Sequence, residues 1–182
     1  MVRGDNNAIV IEGGVFNGEC KIVVFGNNHS VHIINEGVGE KLHVFINNRE
    51  SKNCSIIIEN RTIESLDVVS PHSNTGVYIH SGHMISKNVF IQNTDSHPIY
   101  KLSDATHPIN RATKIVDIAP HCWLGMNATV MKDVSLPENT IVGYGAVVTK
   151  SFTRPNTIIS GIPAKIIKEN VSWDAKNDEF FI

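Results

Sequence analysis

Residues 118–153 consist of six successive hexapeptides, IAPHCW, LGMNAT, VMKDVS, LPENTI, VGYGAV and VTKSFT. Each begins with an aliphatic residue: Ile118, Leu124, Val130, Leu136, Val142 and Val148. Neither the helical period of 3.6 nor simple strand alternation accounts for a repeat of six. A short strand followed by a tight corner does, and three such faces close a triangular coil. Coils stacked at about 4.8 Å would bury the aliphatic residues, so the stretch predicts an all-β parallel β-helix.

The fifth position of successive hexapeptides is small or short, which suits a cramped corner beside each aliphatic residue. These residues are Cys122, Ala128, Val134, Thr140 and Ala146. A solenoid grows in one dimension and needs no second core, so the 182 residues suit one domain, 1–182.

Composition indicates an ordinary soluble protein, with 41% hydrophobic residues and a net charge of −2. The absence of a basic surplus argues against nucleic acid or an anionic membrane as the main partner. We expect a cytoplasmic protein, because no targeting segment or run of eighteen apolar residues is visible. Cys20, Cys54 and Cys122 lie far apart without a CxxC pair, which favours reduced, packed thiols.

Upstream, residues 5–78 are predicted to form degenerate coils. Asparagine pairs at 6–7, 27–28 and 47–48 recur roughly every twenty residues, near the length of one coil, and asparagine readily adopts left-handed turns. A cleaner register covers 79–97, in which Ile79, Ile85 and Ile91 are followed at the same spacing by a histidine, His97. The second regular run is 118–153.

Two segments leave this pattern. Residues 98–117 contain two prolines and mixed polar residues, and they predict a protruding loop of the kind that usually binds ligands. In the C-terminal segment, 160–182, AKIIKENVSW predicts one or two helical turns before a polar tail.

His97 is the first candidate catalytic residue, in the stretch NTDSHP. A corner histidine can act as a general base, and a nearby carboxylate such as Asp95 can fix its tautomer. The alternatives are an ordinary surface histidine and an aspartate that bonds its own turn. Trp123 could wall a slender acyl chain or donate its indole N–H, or simply cover the edge of a coil.

Further candidates are suited to a long, phosphorylated ligand. Missing side chains around Tyr144, within GYGA at 143–146, would let a thin ligand lie against the wall. Lys165 and Lys168 could meet phosphates as mobile charges, or be solvated surface lysines. Cys122 is not expected to be a nucleophile, since the adjacent histidine does not show that the thiol is oriented for deprotonation.

Four stretches together carry a resemblance: IQNTDSHPIYKL, HCWLGMNATVMKDV, IVGYGAVVTKSF and SGIPAKIIKENVSW, over about residues 83 to 173. The chain resembles the hexapeptide-repeat acyltransferases, in particular bacterial capsule and polysialic acid O-acetyltransferases. The resemblance implies a left-handed β-helix, where the general crossover rule alone would favour right-handed turns. It also implies acetyl-CoA as co-substrate and a homotrimer whose active sites lie between subunits.

Residue by residue, the resemblance makes His97 the catalytic base and Trp123 the active-site indole. It assigns the pantetheine and pyrophosphate path to Gly125, Ala146, Thr149 and Lys150, and the nucleotide end to Lys165 and Lys168. Tyr144 joins these cofactor candidates through the GYGA stretch. Where relatives carry a small polar residue three places after the tryptophan, this chain has Met126, which favours a backbone N–H or Trp123 as oxyanion donor. Ala119-Pro120 replaces a glycine frequent in the family.

The expected reaction is direct transfer of acetyl from acetyl-CoA to a sugar hydroxyl of a bacterial surface polysaccharide, with sialic acid as a candidate acceptor. No metal and no covalent acyl-enzyme are needed. The loop after His97 would shape the acceptor site through Tyr100, Lys101 and Arg111, with His107 nearby.

Three other functions stay open from the sequence. The acceptor could be an amine of a nucleotide-linked amino sugar. A zinc hydratase would use His80, His83 and His97, although the three-residue gap between the first two does not place them on equivalent faces of adjacent coils. A non-catalytic β-helix is the third, against which the loop 98–117 and the glycine-rich groove argue.

Overall fold

A computed structural model describes residues 1–35, 37–60 and 62–175. Within these residues the chain forms strands and no helix. In chain order the strands are β1 (Val2–Arg3), β2 (Ala8–Glu12), β3 (Val15–Asn27), β4 (Ser30–Asn35), β5 (Val38–Lys52), β6 (Ser55–Asn60), β7 (Thr62–Val69), β8 (Gly76–Ile79), β9 (Met84–Ile85), β10 (Val89–Gln92), β11 (Tyr100–Lys101), β12 (Asp104–Pro108), β13 (Val116–Ile118), β14 (Trp123–Leu124), β15 (Thr129–Met131), β16 (Ser135–Leu136), β17 (Thr140–Val142), β18 (Val147–Val148), β19 (Thr157–Gly161) and β20 (Ala164–Glu169).

The strands stack into the three faces of a solenoid, and neighbouring strands within each face run parallel. Face 1 is the six-stranded sheet of β2, β4, β6, β8, β13 and β16. Face 2 contains β9, β14, β17 and β19, and face 3 contains β10, β15 and β18. The long strands β3, β5 and β7 bend across both of these faces, because β7 pairs with β9 at its start and with β10 at its end. We name the corners by the faces they join: 1–2, 2–3 and 3–1.

The aliphatic residues of the hexapeptides form the core. All six aliphatic residues that begin the hexapeptides of 118–153 are at most 1% exposed. Ile79, Ile85 and Ile91, one on each face of the preceding coil, stack on Ile118, Leu124 and Val130 and are equally buried. The small fifth residues, from Cys122 to Ala146, are fully buried beside them. The predicted parallel β-helix is therefore confirmed.

Asparagines hold the corners, as the sequence predicted. Asn6, Asn28, Asn88 and Asn127 all have φ between 56° and 60°, in the left-handed region that asparagine enters at low cost. Their amides also bond from coil to coil: Asn6 Nδ2 donates to Asn28 Oδ1 (3.3 Å) and Asn88 Nδ2 to Asn127 Oδ1 (3.2 Å). The pair at 47–48 is not such a corner, because β5 continues through it and the left-handed turn follows at Asn53.

His97 does not continue the six-residue repeat of buried positions set by Ile79, Ile85 and Ile91. It is exposed, and the buried positions are taken instead by Asn93 and Thr94. The Asn93 amide donates to the carbonyls of Gly76 (2.8 Å) and Lys114 (3.1 Å), which closes the coil where the loop departs. The protruding loop is present, and β11 and β12 form an antiparallel hairpin within it.

The predicted C-terminal helix is wrong. Residues 164–169 form β20, which returns antiparallel along β19 with Ser160 opposite Lys165. The β19 edge offers unpaired backbone groups, and the turn after Gly161 brings the chain back to satisfy them. The end of the polar tail, 176–182, lies outside the described residues. No helix in the described part is long and apolar enough to cross a membrane.

Candidate active site

A cavity of about 540 Å³ lies at the base of the hairpin, at corner 3–1. It brings together four of the predicted catalytic and acceptor residues, His97, Asp95, Tyr100 and Arg111. Lys101, in contrast, is exposed on the hairpin and does not line the cavity.

The backbone of His97 is fixed while its imidazole is exposed. Its N–H donates to the carbonyl of Asp95 (2.7 Å), and its own carbonyl accepts from Asn110 Nδ2 (2.9 Å). Ser96, just before it, adopts a left-handed φ of 65°, which turns the chain out of the coil. The side chain is thus presented to the cavity from a held backbone.

The Asp95 carboxylate is bound by other groups than the His97 ring. Its Oδ2 accepts from Lys132 Nζ and from Asn110 Nδ2 (3.0 Å). The Lys132 hydrogen bond is the main cause that lowers the pKa of Asp95, so the carboxylate is ionised and neutralised by an ammonium. A role for Asp95 in orienting His97 stays a prediction.

Asn110 joins both ends of the loop to the coil, and sequence reasoning missed it. Besides its bonds to Asp95 and the His97 carbonyl, its Oδ1 accepts from the Ile99 N–H (2.8 Å). Its backbone carbonyl accepts from Lys132 Nζ (2.8 Å). The one signal was an amide two residues after Pro108, where the loop turns back to the coil.

A second imidazole, His72, lines the same cavity. Its Nε2 lies 3.0 Å from Thr94 Oγ1, which itself accepts from the Ser96 N–H (2.8 Å). Burial, and then the charges of Arg111 and Lys132, lower the pKa of His72. A neutral imidazole therefore faces the cavity near pH 7; no pattern in the sequence distinguished it from the other histidines.

Trp123 lies at a different corner from His97. It begins β14 on face 2, just after corner 1–2, whereas His97 follows β10 on face 3. Its Nε1 donates to Ser86 Oγ (3.2 Å), and its ring is 6.2 Å from that of Trp173. One chain does not place the two residues in a common cavity.

The C-terminal segment covers the corner beside Trp123. Trp173 stacks on His121 with ring centroids 4.6 Å apart, and its Nε1 donates to the His121 carbonyl (2.9 Å). Ser172 Oγ adds a bond to Asn139 Oδ1 (3.1 Å). Both tryptophans of the chain thus lie at corner 1–2.

Two predicted cofactor residues belong to the wall of the coil. A Cβ on Gly125 would lie 2.6 Å from the Val142 carbonyl oxygen, so only glycine fits there. The Ala146 side chain is buried in the core rather than available to a ligand. Tyr144, near Gly125 at corner 2–3, is exposed and accepts from Asn127 Nδ2 at its hydroxyl (2.9 Å).

The predicted lysines are divided between two places. Lys150 and Lys165 line one groove of about 370 Å³ together with Phe152. Thr149 and Lys168 are exposed but do not line it. Lys150 follows β18 and therefore lies at the same corner as His97, two coils along.

The three histidines of the zinc hypothesis do not meet at one site within a single chain. His80 Nε2 bonds Asp117 Oδ1 (2.9 Å), while His83 is buried and its Nδ1 accepts the Cys122 N–H (3.0 Å). His97 lies at another corner. No group of three histidine, cysteine or acidic side chains suited to a metal occurs among the described residues. Burial raises the pKa of the Cys122 thiol to about 12, which disfavours a thiolate nucleophile.

Comparison with known proteins gives relatives over nearly the whole chain. A polysialic acid O-acetyltransferase of Neisseria meningitidis is 33% identical over 192 residues, covering 96% of this chain and 88% of the relative. A putative lipopolysaccharide biosynthesis O-acetyl transferase, WbbJ, of Escherichia coli K12 is 31% identical over 170 residues, covering 85% and 82%. No protein-family model matches the chain.

Solved structures give the same picture. The polySia-specific acetyltransferase NeuO superimposes with a TM-score of 0.69 at 27% identity, over 100% of this chain and 90% of its own. The polysialic acid O-acetyltransferase OatWY gives 0.56 at 29% identity, over 98% and 92%. The left-handed β-helix expected from the resemblance is thereby confirmed.

Proposed function

The chain belongs to the hexapeptide-repeat acetyltransferases that include the polysialic acid and lipopolysaccharide O-acetyltransferases, and from this we propose that it transfers acetyl from acetyl-CoA to a sugar hydroxyl of a bacterial surface polysaccharide. The names of the relatives support an O-acetyltransferase acting on a polysaccharide. The observation that carries the residue assignment is the exposed imidazole of His97, held by its backbone at the edge of a cavity.

In this mechanism His97 acts as a general base within a ternary complex. A ring nitrogen removes the acceptor's hydroxyl proton as the oxygen attacks the thioester carbonyl. The tetrahedral intermediate then expels the CoA thiolate, which takes the same proton from the imidazolium. General acid–base help of this kind contributes a factor of about 10²–10⁴ in rate.

A backbone N–H is the better supported donor to the oxyanion. Met126 has no side-chain donor where relatives carry a polar residue, and the Trp123 N–H already goes to Ser86. A preorganised donor contributes a factor of about 10²–10³.

Acetyl-CoA fits the surface beyond the cavity. The two ammonium groups of the Lys150–Lys165 groove suit phosphates.

We place the active site between subunits of a homotrimer. His97 and Trp123 lie at corners 3–1 and 1–2, so face 1 separates them within one chain. A site that uses both therefore takes His97 from one subunit and Trp123 from its neighbour.

Replacing His97 by alanine tests the assignment. We expect His97→Ala to lower turnover, measured by thiol release, by a factor of about 10²–10⁴ and to leave the acetyl-CoA Kd within about twofold by calorimetry. His32→Ala, which removes a histidine paired with Glu12 on face 1, is the matched control and should retain full activity. Near-normal turnover by His97→Ala would remove the base from the mechanism.

The acceptor is identified by a panel of sialic acids, polysialic acid, neutral oligosaccharides and nucleotide-linked amino sugars. Acetylation of hydroxyl acceptors alone supports the proposal. Transfer to amines alone would replace it with an N-acetyltransferase.

A further inference from the structure

A second cavity, of about 440 Å³, continues from the first along corner 3–1. The two share three lining residues, Asn48, His72 and Ser96. The second cavity extends from Thr94, after β10, past the coils of β7 and β5 to Phe25 on β3. Three coil steps of about 4.8 Å make a groove of about 14 Å, longer than one sugar ring.

The second cavity is aromatic and cationic. Among its described lining residues Arg49 is the one side chain with a full charge, since the lowered pKa of His72 keeps that imidazole neutral. The Arg49 guanidinium carbon lies 5.9 Å from the centre of the Phe25 ring. Arg3, on the neighbouring strand β1 and outside the lining of the cavity, approaches the same ring at 5.8 Å. One aromatic ring thus orients two guanidinium groups.

Guanidinium groups held in this way suit carboxylates. Their planar fork binds a carboxylate through two parallel hydrogen bonds, and prior orientation reduces the entropy lost on binding. In the first cavity the carboxylates are Glu50 and Asp95, of which Asp95 is neutralised by Lys132. Arg111 also lines the first cavity and balances Glu50 in charge, whereas no carboxylate is among the described lining residues of the second cavity, so the Arg49 end of the groove carries the net positive charge.

We infer that Arg49, Arg3 and Phe25 form a distal acceptor subsite, which binds the carboxylate of an acidic sugar unit while another unit of the same oligosaccharide is acetylated at His97. The inference rests on the proposed function. It adds to that function the place on the coil at which a second sugar unit of the acceptor is bound.

The test compares acceptors of different length in one variant. With sialic acid oligomers of several units, we expect Arg49→Ala to raise KM about tenfold or more, the loss of a charge-assisted hydrogen bond. For the sialic acid monomer and for acetyl-CoA, KM should change less than twofold, and kcat should be retained. Raised salt should weaken oligomer binding in the wild type more than in the variant.

Lys21→Ala is the matched control. It removes a cation 5.7 Å from the Phe45 ring on the same long strands, outside both cavities, and should leave every KM unchanged. An equal effect of Arg49→Ala on monomer and oligomer, or no effect on either, would overturn the distal subsite.

A failed enzyme assay remains distinguishable from a failed subsite. If the wild type acetylates no sialic acid acceptor, the proposed acceptor is wrong, and the subsite is judged by direct binding of the same oligomers. A Kd about tenfold weaker for Arg49→Ala than for the wild type supports the subsite, and equal Kd values refute it.

Discussion

Asn110 acts on the candidate base without touching its ring. Its side chain binds the His97 carbonyl, the Asp95 carboxylate and the Ile99 N–H, while its carbonyl receives Lys132. These bonds fix the position from which the imidazole enters the cavity. Small displacements of a catalytic group cost large factors in rate, so a residue that only holds His97 can still affect turnover.

We predict that Asn110→Ala lowers kcat about tenfold to a hundredfold and leaves KM for acetyl-CoA within twofold. Because the residue acts through His97, adding Asn110→Ala to His97→Ala should cause no further loss. Steady-state kinetics of the single and double variants measure this coupling, with the exposed Asn17→Ala as control. A further loss in the double variant would show instead that Asn110 contributes independently.

The sequence identified the residues whose chemistry is conspicuous. His97, Asp95, Tyr100 and Arg111 were predicted from residue type, loop position and resemblance, and all line one cavity. Lys132 was missed because its role depends on a contact with Asp95 across 37 positions, which no local pattern encodes.

Within the coils, two histidines repeat one contact. His29 Nδ1 accepts the Cys54 N–H, and His83 Nδ1 accepts the Cys122 N–H, each at 3.0 Å. Both imidazoles are at most 2% exposed. An imidazole that accepts at Nδ1 in this way is neutral, so protonation competes with the packing of successive coils.

The pH dependence of stability follows from His83. Burial lowers its pKa from 6.5 to about 4. Since the folded pKa lies below the unfolded one, its contribution is complete above pH 6.5 and is lost as the pH falls toward 4. At 1.36 kcal/mol per unit this amounts to about 3 kcal/mol.

Denaturant unfolding at a series of pH values measures the effect. We expect His83→Asn, whose Oδ1 can still accept the Cys122 N–H, to flatten the decline in unfolding free energy between pH 6.5 and 4. Some slope remains, because burial also lowers the pKa of His29 and His72. His107→Asn, on the exposed hairpin, should keep the full slope. Equal slopes in His83→Asn and wild type would exclude His83 as the source.

The strands of the solenoid could be predicted where the sequence contains the hexapeptide repeat. A buried aliphatic residue every six positions is a local property, and 118–153 folds accordingly. The stretch AKIIKE was misassigned because its structure depends on the free edge of β19, which only the assembled coil provides. The six-residue repeat was predicted to reach His97 and break there, but Asn93 closes the coil earlier. It does so by donating to carbonyls 17 and 21 positions away, contacts that the local sequence does not reveal.

The arrangement of corners has a consequence for the assembled protein. Within one chain, His97 faces the cavity at corner 3–1, while Trp123 and Trp173 lie at corner 1–2. In a closed ring of three subunits, each 3–1 corner can meet the 1–2 corner of a neighbour in a repeated heterologous contact. The proposed trimer would then contain three equivalent sites, each built from two chains.

Mixed oligomers test this shared site. We expect His97→Ala, which lacks the base, and Trp123→Ala, which lacks the indole expected to wall the acyl chain, each to lose nearly all activity alone. When the two are co-expressed in equal amounts, a site is intact wherever a Trp123→Ala subunit supplies His97 and a His97→Ala subunit supplies Trp123. Every trimer that contains both chains, whether 2:1 or 1:2, then has one intact site in three, so the doubly tagged oligomers should recover about a third of the wild-type activity. Purification through two different tags ensures that the assayed oligomers contain both chains, and each variant folded separately is the control. If both residues served one site within the same subunit, no mixture would contain an intact site, and a doubly tagged oligomer without activity would place the whole site in one chain.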